Sequence, residues 1–283
     1  MRERQSPARR GRFPIEFIVG AIAREPPLRA LIWPLVYLAP TSARLRAMWG
    51  AAPYPAYLVG TLAAADQALT QNIDAISVIE FGVATGRGLL TLEKHAAAVE
   101  KQTGVRIEVY GFDTGSGLPK PLPDHRDHPD RWRAGDYPML DATALRRKLS
   151  PRTSLVLGNV TETVPQFLAE AHPPVGFAAI DLDIYSSTTD ALKLLSSPQR
   201  RMLRRVTLYF DDIMFPHNHA YAGERLAIAE FNTNNEDVKI DAWHGIERAR
   251  PFPERFWYKQ LFIAHDLAAI SKARPGDRPD LVL

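Results

Sequence analysis

The 283-residue chain contains no cysteine, which excludes a disulfide framework, a thiolate zinc site and a cysteine nucleophile. That absence suits a reducing compartment, and a cytoplasmic location is expected. Long apolar runs are missing too. Behind the N-terminal arginines, "ARRGRFPIEFIVGAIA" is interrupted by Glu16 and closed by Arg24. What remains is too short for a membrane span, and no export signal is expected. The formal charge of +3 is small, and it is concentrated in a tail: Arg2, Arg4, Arg9, Arg10 and Arg12 against Glu3 place +4 in the first twelve residues and leave −1 for the rest. Residues 1–12 therefore read as a basic disordered arm. Neither that arm nor "RWR" (131–133) has the interleaved aromatics of a nucleic-acid groove, so no nucleic-acid partner is expected. No internal repeat and no low-complexity segment is visible.

With 46 % hydrophobic and 24 % charged residues, the composition is that of a globular protein with one main domain and an appendage. Residues 13–70 are rich in Ala, Leu, Pro and aromatics, with breaks at "EPP", "AP" and "APYP". They read as short helices, the last through "AYLVGTLAAADQAL", forming a lid or a contact with a second copy. From residue 71 to 283 the texture becomes that of a second unit. Apolar, β-branched runs at 77–81, 107–112, 154–158, 176–181 and 206–210 alternate with helical patterns near 88–102, 140–149, 162–171 and 187–197. Continuous apolar strands separated by helices predict a doubly wound α/β fold with a mostly parallel sheet. Runs at 238–244 and 257–265, joined by a Pro- and Arg-rich loop, predict an antiparallel pair that closes it.

The turn after the first strand, "VIEFGVATGRG" (78–88), carries Gly82, Gly86 and Gly88. A nucleotide-binding turn, a plain tight turn and a flexible loop all compete for it. The spacing is not that of a dinucleotide fingerprint, because Ala84 stands where a glycine is needed. Nor does a Gly-Lys-Ser/Thr follow, so a P-loop is excluded. In "YGFDTGSGLP", Asp113 ends the next strand 25 residues after Gly88, where a carboxylate accepts hydrogen bonds from ribose hydroxyls. The ligand predicted is a nucleoside. S-adenosylmethionine, which is cationic, would also suit Glu80 beside the turn.

Two further strands end in acids: "AIDLDIYSST" places Asp181 and Asp183, and "LYFDDIMF" places Asp211 and Asp212. Neighbouring strands lie ~4.8 Å apart, so these carboxylates converge on the rim that carries the glycine turn. Packed acids repel unless a cation neutralises them. With oxygen donors and no cysteine, magnesium or another hard divalent ion is favoured. Helix capping is the alternative, and Asp183 is placed for it. His217 and His219 in "FPHNHAY" stand as an added ligand or base, or as solvated loop residues. His125 and His128 read as loop packing. Tyr185, Trp132 and Tyr137 are candidates for an acceptor pocket.

In order and spacing, "EFGVATGRG", "GFDTGSGLP", "GNVTETVPQFL", "DLDIYSSTTDAL", "YFDDI" and "GERLAIAEFN" resemble the class I methyltransferases of the macrocin O-methyltransferase group, over roughly residues 60–265. The resemblance implies a seven-stranded sheet, S-adenosylmethionine as donor, and magnesium-assisted methylation of a hydroxyl on a small molecule, in relatives often a sugar. By position it implies Asp181, Asp211 and Asp212 as metal ligands and Asp181 or Asp183 as base. Glu80, Gly82, Asp113 and Asn159 fall in the cofactor shell, to which Ala84, Gly86, Gly88 and Ser116 are added. The chain departs from the group in "DHRDHPDRWRAGDYPM" (124–139) and in "DIMFPHNHAY" (212–221). Both segments are expected near the acceptor. A metal-free methyltransferase and a cofactor-binding protein without turnover are the competing readings.

Overall fold

Strands buried on both faces need helices above and below them, and the chain supplies both layers. The computed structural model describes residues 25–248 and 250–273. The expected basic arm and the apolar stretch that follows it lie outside the described residues. The strands are β1 (Ala75–Phe81), β2 (Arg106–Asp113), β3 (Thr153–Leu157), β4 (Val175–Ile180), β5 (Met202–Phe210), β6 (Val238–Ala242) and β7 (Leu261–Asp266). They form one sheet in the order β3-β2-β1-β4-β5-β7-β6. β3 to β5 pair in parallel, whereas β7 runs antiparallel to both β5 and β6.

Around the sheet lie α1 (Leu28–Leu38), α2 (Ala43–Trp49), α3 (Pro55–Thr70), α4 (Arg87–Thr103), α5 (Ala142–Lys148), α6 (Val160–Ala169), α7 (Tyr185–Ser196), α8 (Gly223–Asn234) and α9 (Leu267–Ser271). Alternation along the strands splits the core in two. Ile76, Val78, Ile107 and Val109 face α3 and α4, packing with Tyr57, Leu58, Leu89 and Leu92. Ile79, Phe81 and Phe112 face the other way, against Val164 and Phe167 of α6 and Leu192 and Leu195 of α7. α3 belongs to the first of these cores, with Tyr57, Leu58, Ala64, Ala65 and Ala68 all buried.

Two elements differ from the sequence expectation. The last strand begins at Leu261, because Phe256–Gln260 forms a 3-10 turn. Trp257 and Tyr258 are both buried in the core cluster on the α3 face. Successive strand residues face opposite sides, so only a coiled segment can bury both on one. The second is α8, within a stretch read only as the motif "GERLAIAEFN". Ala227, Ile228 and Phe231 face the core, but Glu224 is buried beside them, and an acid on the inner face obscures the apolar period.

Candidate active site

The chain runs outward from β1 through β2 to β3 and then returns to β4 beside β1, so the order reverses between β1 and β4. In open α/β sheets ligands sit beyond the carboxyl ends of the strands at such a reversal. The main chain ties those ends together. Gly82 donates to the Phe112 carbonyl at 2.9 Å, Asp181 to Phe81 at 3.0 Å, and Asp211 to Ile180 at 3.0 Å. Glu80, Asp113, Asp181, Asp183, Asp211 and Asp212 are thus held on adjacent strand ends.

The glycine turn is bare because the protein itself fills the space. Gly82 has φ +85°, and a Cβ there would lie 1.8 Å from the Asp181 carbonyl oxygen. At Gly88 a Cβ would lie 1.8 Å from Glu80 Oε1, and at Gly86 it would strike Leu145. Asp113 is occupied in the same way. Its Oδ2 accepts from the amides of Val83 (2.9 Å) and Ala84 (2.8 Å), and its Oδ1 from that of Gly115 (2.6 Å). Glu80, 2 % exposed, accepts from the Tyr57 hydroxyl at 2.8 Å through Oε1, while Oε2 has no partner. Burial pushes the Glu80 carboxyl up to about 8, opposed by the Tyr57 hydrogen bond and reinforced by Asp113. Asn159 caps α6 through Oδ1, which accepts from the Thr161 amide at 3.0 Å. Ser116 is exposed, its amide donating to Thr114 Oγ1.

Across the rim, oxygens of Asp181, Asp183 and Asp212 all lie within 4.8 Å of one another. Asp211 is turned to Tyr209, whose hydroxyl donates to its Oδ1 at 2.5 Å. Asp183 does not cap α7: the cap position is Ile184 and no side chain bonds there. Instead Asp183 adopts φ +61°, a left-handed conformation costing about 1 kcal/mol for a residue with a Cβ, and lies beside Asp212. Burial, then the charges of Asp211, Asp183 and Asp212, hold Asp181 well above the usual carboxylate range. Burial and like charge also raise Asp183 and Asp212, opposed by the Arg131 guanidinium. Asp212 Oδ2 is buried without a partner. Converging hard oxygen donors and this orphaned atom fit a divalent ion.

Both halves of the rim open into one cavity of about 370 Å³. Gly82, Ala84, Asp113 and Asn159 line it, together with the four aspartates. Arg131, Trp132, Asp136 and Tyr137 of the 124–139 insert, with Phe215, complete the lining. The insert is fastened by Asp127, which is fully buried. Asp127 accepts from the Leu122 amide and from both the amide and hydroxyl of Ser186, at 2.6–2.8 Å. His128 Nε2 donates to the His217 carbonyl at 2.6 Å, as loop packing predicts. Tyr185 is not on the cavity wall; its hydroxyl donates to Glu230 at 2.5 Å. His217 lies beside the acids, and burial, with the charges of Arg131 and His128, lowers it to about 4.

Several polar residues of the site were not singled out from sequence. Tyr209 stands two residues before Asp211, so strand alternation gave a usable signal. Tyr57 and Gln260, whose Nε2 donates to the Asp211 carbonyl at 2.6 Å, arrive from distant segments and gave none. Glu224 is fully buried, with both carboxylate oxygens unpartnered. Burial, then the charges of Asp212, Asp181 and Asp211, raise it well above its ordinary value.

No protein-family model matches the chain, and no curated protein sequence matches it. Among solved structures, the calicheamicin methyltransferase CalS11 aligns with a TM-score of 0.53 at 20 % identity, covering 94 % of this chain and 99 % of that one. An apo structure of CalS11, described as a TDP-rhamnose 3'-O-methyltransferase, aligns at 0.45 and 22 % identity over 90 % and 96 %. An O-methyltransferase from Bacillus cereus in complex with SAH aligns at 0.38 and 17 % identity over 72 % and 79 %. The first match and the strand order define the fold as that of the Rossmann-like class I methyltransferases. Among the described residues, no helix is long and apolar enough to cross a membrane.

Proposed function

We propose that this protein is an S-adenosylmethionine-dependent O-methyltransferase of small molecules, assisted by a divalent ion and akin to the macrocin O-methyltransferase group. The observation that carries the reading is the single cavity that joins the glycine turn to the carboxylate rim. Donor and acceptor can meet there without crossing solvent. Gly82, Ala84, Asp113 and Asn159 would hold the donor, with the turn pre-shaped by Asp113.

The donor supplies a sulfonium methyl for in-line displacement. Asp181 and Asp212 would hold the ion, whose chemistry is to orient the acceptor hydroxyl and lower its pKa; Asp211, expected as a third ligand, is turned instead to Tyr209. Asp183 faces the cavity beside them, and its raised basicity suits a group that takes the hydroxyl proton onto its carboxylate. Trp132, Tyr137 and Phe215 would set the approach of the acceptor, so that oxygen and methyl carbon are aligned. Asp211 is fixed in place by the Tyr209 hydroxyl.

Calorimetry with S-adenosylhomocysteine tests the donor site. Transfer from labelled S-adenosylmethionine to a panel of glycosides, nucleotide sugars and phenols, with magnesium and with chelator, tests the rest. Absence of S-adenosylhomocysteine binding would overturn the reading, and full transfer after exhaustive chelation would overturn its metal part.

A further inference from the structure

His217 was not needed for the chemistry above, yet its surroundings are unusual for a loop histidine. Its side chain is 10 % exposed, and Nε2 lies 3.9 Å from Asp212 Oδ1. That distance is too long for a hydrogen bond, and Nε2 has no partner. The ring is held on its other sides. Phe215 stacks on it at 5.7 Å, Trp132 meets it edge-on at 5.5 Å, and His128 pins its carbonyl. The edge left unpaired is the one that faces Asp212, whose own Oδ2 is also buried and unpaired.

We propose that His217 is a nitrogen ligand of the divalent ion held at the aspartate rim, which would give the site a mixed oxygen and nitrogen donor set. The inference rests on the metal reading of that rim. Two bonds of ~2.1 Å reach donors up to ~4.2 Å apart, so one ion can touch both Nε2 and Asp212 Oδ1 at their observed separation. Asp181 and Asp183 lie within reach of Asp212 on the same rim. An imidazole in the set shifts preference from magnesium, which takes oxygen ligands, toward manganese, cobalt and other first-row ions. Because the ring is already ordered by Phe215 and Trp132, little further freedom is lost on binding.

The test uses the full chain, chelator-treated and then loaded with manganese(II) or cobalt(II). Pulsed paramagnetic resonance of the manganese form should show modulation from a directly bound nitrogen, and His217→Gln should abolish it. Calorimetry should show manganese and cobalt affinity falling at least tenfold in His217→Gln while magnesium affinity changes little. Asp212→Asn should weaken all three ions. Wild-type ion binding without nitrogen modulation would overturn the histidine ligand and leave the carboxylate site standing. Equal weakening of every ion in His217→Gln, at an unchanged melting temperature, would likewise count against it. If no ion binds the wild type, the metal reading and this inference fall together.

Discussion

The glycine turn and the aspartate rim, which share one cavity, satisfy their polar groups to different degrees. At the glycine turn, Asp113 accepts three backbone hydrogen bonds and each turn glycine abuts the chain's own atoms. At the aspartate rim, buried atoms of Asp212, His217 and Glu224 have no partner within the protein. An unpaired buried polar atom costs about 1–3 kcal/mol, and among the described residues the rim carries four of them where the turn carries one, Glu80 Oε2. The turn is a finished mould, whereas the rim holds its functional groups at the expense of stability.

The contrast can be broken on either side. The largest effect should come from Asp183→Asn, which removes the base while leaving the mould intact. A loss of roughly 10²–10⁴-fold in kcat is expected, with S-adenosylhomocysteine affinity nearly unchanged by calorimetry. Equal loss of binding would show that turn and rim are not separable. Next is Asp113→Ala, which leaves three amides without their charged acceptor. Chemical denaturation should show a loss of about 3 kcal/mol or more, with donor affinity falling alongside. Unaltered stability would mean that the turn holds its shape without the carboxylate.

Gly88→Ala drives a methyl into Glu80 and should cost about 1–3 kcal/mol through overpacking, read as a lower melting temperature. The smallest effect expected is on pH dependence. Glu80 is raised to about 8, so the folded state holds a proton that the unfolded chain has released. Its stabilising contribution is present at low pH and is lost as pH rises through that value. His217, lowered to about 4, has the opposite slope, but only up to its unfolded value of ~6.5. Between pH 6.5 and 9 the carboxyl groups therefore decide the sign. Glu80 alone should remove at most about 2 kcal/mol over that range, seen as a falling melting temperature in chelator. Magnesium should flatten the decline if it neutralises the neighbouring aspartates, and an identical slope with and without the ion would argue against that role.

The strands and the placement of the acids were legible because each strand reads as an apolar, β-branched run and each acid sits where such a run stops. What Asp113 and the glycines face was not. A sequence shows that a carboxylate and a bare backbone stand at a strand end, but it does not show whether a ligand or the chain's own turn takes up those contacts. Here the chain takes up three of them. The Glu80–Tyr57 pair was hidden for a related reason: Tyr57 comes from α3, and helical periodicity reports only that it is buried. Trp132 and Tyr137 were named with Tyr185 as pocket candidates, and of the three only Trp132 and Tyr137 line the cavity. Glu224 was illegible because its burial contradicts its chemistry.

Asp127 has a consequence for remodelling the protein. The buried Asp127 carboxylate ties the start of the insert to Leu122 and to the start of α7, and Gly135 and Asp136 pair with Leu118 at its far end, so the stretch between resembles an interchangeable tool bit held by a chuck at both ends. Loops of other composition could be grafted between those anchors while the sheet, the turn and the aspartates stay as they are. A library confined to residues 129–134, which leaves the His128 bond to the His217 carbonyl in place, would search acceptor preference without disturbing the donor's seat.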